Sequence, residues 1–146
     1  LLYAEQGDSG KAARILDNLA PVLEGLKAAY GVDLAVGIRE TLKRGDPWEA
    51  QAAVLKLVYY HLKLELAAAL KAQGRQAIVR VRLAYLDYLL IEPRLKRRDK
   101  GLVNRVEQHF KSLYSLMAAA GPRKAVEAAA DVSEIERILL LALETG

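Results

Sequence analysis

The chain has 146 residues, 53% hydrophobic and 27% charged, with a formal net charge of +4 and no cysteine. That length suffices for one domain with a buried core, and the balance of apolar to charged residues excludes a disordered chain. Without cysteine there can be no disulfide, thiolate zinc site, iron–sulfur cluster or covalently attached haem.

Alanine and leucine dominate and β-branched residues are few, a mix that favours helix because straight side chains lose little rotamer freedom there. Asp8 and Ser9 can cap a first helix whose apolar residues Ile15, Leu19, Val22, Leu26 and Tyr30 share one face. Pro21 inside it should kink or split it; Gly31 ends it, and Asp33 can cap a short helix through Lys43. Asp46-Pro47-Trp48-Glu49 then places a capping carboxylate, a proline at the first helical position and a capping-box glutamate in order. This predicts a long helix from Pro47 to about Ala72 that stops at Gly74.

The next helix should run from Arg75 towards Arg98, bent near Pro93. Within it, Ile78-Val79-Arg80-Val81-Arg82-Leu83 partly alternates as a strand would, but no hairpin turn or partner strand accompanies it, so helix is the reading. Asp99 caps a fifth helix with the stripe Leu102, Val106, Phe110, Leu113 and Met117, closed by Gly121-Pro122. A short helix covers 123–129, and the capping box Ser133-Glu134-Ile135-Glu136 opens a last one to Glu144. The expected fold class is all-α: an antiparallel bundle of about five to six helices around a single core, forming one domain over 1–146. Gly-Asp pairs at Gly7-Asp8 and Gly45-Asp46 also fit the trace of a helical repeat, although helix caps produce such pairs anyway.

No uncharged apolar run approaches the roughly 20 residues that cross a bilayer. Even the stretch from Ala50 to Leu70 carries Lys56, His61, Lys63 and Glu65. The chain begins at Leu1; a removed signal peptide and a trimmed start account for that equally well.

The long helix carries the sharpest candidate site. At 100° per residue, Glu49, Lys56, Lys63 and Leu70 form a solvated stripe, and His61 with Glu65 falls nearly opposite, among Val54, Leu57, Val58 and Ala68. A histidine and a carboxylate four apart can share a metal ion, so His61 and Glu65 are the candidate metal ligands. The competing reading is that they bond each other or a buried Arg or Tyr. Di-metal bundles repeat a Glu-x-x-His pair on two helices, and here there is one pair at another spacing. His109 sits at the edge of the Phe110 stripe, as an interface residue would. Two histidines also permit bis-histidine haem b, if they meet across a cavity. Tyr59, Tyr60, Tyr85, Tyr88 and Tyr114 fall at helical spacings suited to packing in the core or rimming it, or to lining a ligand pocket.

Charge is uneven. Residues 75–105 carry nine basic side chains against three acidic ones, Asp87, Glu92 and Asp99. Arg94, Lys96, Arg97, Arg98 and Lys100 gather around a helix end, where cations are favourable without any ligand. They are the candidate partner- or anion-binding residues, for nucleic acid or an anionic lipid surface, although no aromatic interleaving or nucleic-acid motif accompanies them. Phosphate loops, Gly-x-Ser-x-Gly elbows and His-Glu-x-x-His helices are all missing, so no enzyme is expected.

The run from Ala84-Tyr85-Leu86-Asp87 through Ile91-Glu92-Pro93-Arg94-Leu95, followed by Arg98-Asp99-Lys100-Gly101-Leu102-Val103 and Val106-Glu107, resembles a helical segment of iron-permease-type proteins. The resemblance covers residues 84–107. It implies an extracytoplasmic, periplasmic helical domain tied to iron uptake, with Glu92 matching a carboxylate of the similar stretch. Arg39-Glu40-Thr41-Leu42-Lys43 departs from that group's Arg-Glu-x-x-Glu motif at Lys43, so iron ligation is not carried onto Arg39 or Glu40.

Three functions follow as expectations. The leading one is a non-enzymatic extracytoplasmic accessory or interaction domain in iron or other metal handling. The second is a helical scaffold for protein–protein contact, a homodimer among the options, motivated by the apolar long helix and Ile138-Leu139-Leu140-Leu141. The third is a binder of nucleic acid or anionic lipid through residues 94–105.

Overall fold

The computed structural model describes Pro21, Glu24, Lys27, Ala28 and residues 47–119 and 124–144. Among these residues every regular element is a helix: α1 (Pro47–Lys71), α2 (Arg75–Arg98), α3 (Lys100–Ala118) and α4 (Lys124–Glu144). The chain divides into two compact units, residues 1–60 and 61–146, with the division falling inside α1. The two helices expected between Asp8 and Lys43 lie outside the described residues, save that Pro21, Glu24, Lys27 and Ala28 are helical and exposed.

The described residues thus hold four helices, not five to six. One part of the difference is a correction. Residues 123–129 and 133–144 do not form separate helices, and α4 runs unbroken from Lys124 to Glu144. Nothing in that span is a glycine or proline, and Ala128, Val132, Ile135, Leu139 and Ala142 form one continuous buried stripe. Ser133 sits exposed within the helix, where its capping chemistry has no free end to serve.

In the first unit, Leu55, Leu57 and Tyr59 of α1 are buried, and the Tyr59 and Tyr60 rings meet edge to face at 5.5 Å. In the second unit, Gly74 turns the chain between α1 and α2 with φ 60°, a left-handed conformation glycine adopts without a Cβ clash. Between α2 and α3 the whole connection is Asp99, whose side chain accepts a 2.8 Å bond from the Gly101 amide. Pro93 leaves α2 unbroken and is exposed.

Each helix of this second unit buries one face. Leu62, Leu66 and Ala69 of α1 are closed off, as are Ala77, Val81, Ala84, Tyr88, Ile91 and Leu95 of α2. On α3, Val106, Phe110 and Leu113 are buried. Tyr85, Tyr88 and Phe110 stack as a three-ring cluster between α2 and α3, with centroids 5.2 to 5.6 Å apart. Crossed partners fix the directions. His61 meets Asp87 while Glu65 meets Arg80, and His109 meets Asp131 while Arg105 meets Glu134. In both helix pairs the partner number falls as the first number rises, so α1–α2 and α3–α4 are antiparallel. Among the described residues, no helix is long and apolar enough to cross a membrane.

Candidate functional site

Two features stand out: polar bridges along the helix seams, and an apolar outer face on α2. The first bridge contains the predicted pair. Glu65 is buried and His61 half-buried, so both turn inward as their position opposite Lys56 implies. His61 Nδ1 lies 2.6 Å from Asp87 Oδ2 on α2, and its Nε2 lies 3.6 Å from Glu65 Oε1, too far for a hydrogen bond but close enough to feel the charge. Glu65 in turn accepts from Arg80 at 3.1 Å. The hydrogen bond to Asp87 raises the His61 pKa above its ordinary value, and the Glu65 charge adds to it against partial desolvation and the Arg80 cation. Charge therefore alternates Asp87, His61, Glu65, Arg80 between two helices.

The second bridge repeats the theme. His109 Nδ1 lies 2.8 Å from Asp131 Oδ1, joining α3 to α4, so His109 is an interface residue as its place beside Phe110 suggests. Between α2 and α3, the Tyr85 hydroxyl donates to Glu107 at 2.9 Å. Burial and that bond push the Tyr85 pKa up to about 12, and burial also raises that of the enclosed Tyr88. These phenols are held protonated, which opposes their use as phenolate ligands.

Asp87 makes the His61–Glu65 pair a trio, within which His61 Nδ1 is bonded to Asp87 and Glu65 to Arg80. Among the described residues, no group of three or more His, Asp or Glu is arranged to hold a metal ion. A cation at His61 would have to draw Glu65 away from Arg80. Ser112, Ser115 and Ser133 are all exposed.

The five basic candidates do not form one patch. Arg98 donates at 2.9 Å to the Leu141 carbonyl, neutralising the C-terminal end of α4. Arg94 is half-buried, with its Nη1 enclosed and without a hydrogen-bond partner. Lys96, Arg97 and Lys100 are exposed, and helical geometry sends Lys96 and Arg97 to different sides of α2.

Sequence reasoning missed the outer face. Val79, Leu83, Leu86 and Leu90 recur at spacings of four, three and four, and are 46%, 39%, 54% and 50% exposed. They lie directly opposite the buried stripe of the same helix, with Leu89 at their edge. The signal was present: apolar positions on α2 run all the way round, which marks a helix with neighbours on two sides. At its N-terminal end the stripe opens into a groove of about 780 Å³ between α1 and α2, with Ala68, Val79 and Leu83 in its walls and Lys71, Arg75 and Arg80 around it.

The chain matches no protein-family model, no curated protein and no solved structure.

Proposed function

We propose that this chain is a non-enzymatic helical-bundle interaction module that docks another protein on the outer face of α2. The single observation behind this reading is the Val79–Leu83–Leu86–Leu90 stripe, exposed on the side of α2 opposite its buried face. Isolated surface leucines are ordinary, but a contiguous row at seam spacing is the mark of a helix awaiting a neighbour. The polar bridges support a structural role for the histidines, since each imidazole is tied to an aspartate of the next helix. A role in metal handling draws less support, because Glu65 is held by Arg80.

A photo-crosslinking side chain at Leu86, in the full chain and in the cell that makes it, tests the reading. One discrete protein adduct from Leu86, with none from the exposed Lys111 on α3, is the expected result. Silence at both positions would overturn the module.

A further inference from the structure

The chemistry around the stripe says what kind of partner fits it. Every exposed ionised side chain on α2 is basic. Lys71 and Arg75 stand at the groove end, Arg82 flanks the middle, and Arg97 closes the far end, all of them exposed. The two carboxylates of α2 are turned to other work. Asp87 is bonded to His61, and Glu92 lies on the side where its charge reaches Tyr85 and Tyr88. The outer face is thus an apolar seam between cations.

Spacing and charge separate the candidates for what covers it. Val79, Leu83, Leu86 and Leu90 recur at coiled-coil spacing with Leu89 at one edge, the pattern that receives a second helix. A second copy would set one basic rim against another. A helix bearing leucines along one line and carboxylates on either side meets both demands, since it fills the seam and pairs with the rim.

We infer that the outer face of α2, continued by the groove beside Gly74, binds an acidic amphipathic helix of a partner protein. Its apolar line lies against Val79, Leu83, Leu86 and Leu90, and its carboxylates face Lys71, Arg75, Arg82 and Arg97. This rests on the interaction-module reading and adds the partner's chemistry to it.

Two synthetic helical peptides with one shared leucine heptad seam test the inference, one flanked by glutamates and the other by lysines. Each is titrated into the full chain, alongside phosphatidylglycerol vesicles and a sedimentation measurement of the protein alone. The glutamate peptide should bind one to one, at least about tenfold tighter than the lysine peptide, with affinity that falls as salt screens the rim. Leu86→Glu, at an exposed position, should abolish binding with helicity unchanged. Equal binding of both peptides, lost in Leu86→Glu, would overturn the acidic partner and leave the docking face standing. Binding that survives Leu86→Glu would overturn the assignment to this face. Vesicle binding or self-association broken by Leu86→Glu, with neither peptide bound, would replace the partner with lipid or a second copy. If nothing binds, the inference and the module both fall.

Discussion

The two faces of α2 carry the same kinds of side chain and opposite consequences. Inward, Val81, Tyr88, Ile91 and Leu95 are fully enclosed; outward, Val79, Leu83, Leu86 and Leu90 are about half open to water. Apolar content alone therefore does not say what a residue contributes to stability. The area removed from water on folding decides that; the inner face has been removed completely and the outer face only in part. On the proposed reading, the outer face is covered fully only when a partner binds.

Substitutions on the two faces sharpen the contrast, and the inner face should give the largest effect. Ile91→Ala leaves a cavity in a closed interior and should lower unfolding free energy by about 2–5 kcal/mol in urea titration. Asp87, on the border between the faces, comes next. Asp87→Asn removes the carboxylate charge 2.6 Å from His61 and should cost about 1.5 kcal/mol.

The pH dependence of this bridge has a definite sign. The folded His61 pKa lies above the ordinary 6.5, so the folded state holds the proton more tightly than the unfolded one. The stabilisation is complete below pH 6.5 and is lost as pH rises through the higher folded value. Asp87→Asn should flatten that slope and move the His61 titration downward in an NMR measurement. An unchanged titration would show that the bridge does not form.

At Gly74 the effect is comparable. A methyl group would meet no atom within 4 Å, so Gly74→Ala costs only the backbone conformation (φ 60°, ψ −133°), about 1–3 kcal/mol read as a lowered denaturation midpoint. The smallest effect belongs to the outer stripe, where Leu86→Ser should change stability by less than about 0.5 kcal/mol.

The sequence made much of the architecture legible because its punctuation is local. Pro47, Gly74 and Asp99 mark helix boundaries by chemistry that needs no tertiary context, and the structure places α1, α2 and α3 accordingly. Ser133 misled for the same reason. A capping box is a local signal, and the buried Ala128–Ala142 stripe overrode it. The candidate site divided along similar lines. His61 and Glu65 are one turn apart, so their shared inward face was readable from periodicity. Asp87, Arg80 and Asp131 come from neighbouring helices, and no spacing within one helix announces a partner 15 to 26 residues away. The basic run read as one cluster because those residues adjoin in sequence, yet a helix sends them to different sides, and Arg98 is drawn to the end of α4. The outer stripe of α2 went unread because its residues are interleaved with those of the buried face.

The most direct test of the idea that this stripe is held for a partner is urea unfolding of Leu83→Ser/Leu86→Ser in the full chain. A midpoint equal to that of the unmodified protein, within about 0.5 kcal/mol, is the predicted result. A loss above about 2 kcal/mol would mean that the chain itself already covers the stripe, and would contradict a face reserved for another molecule.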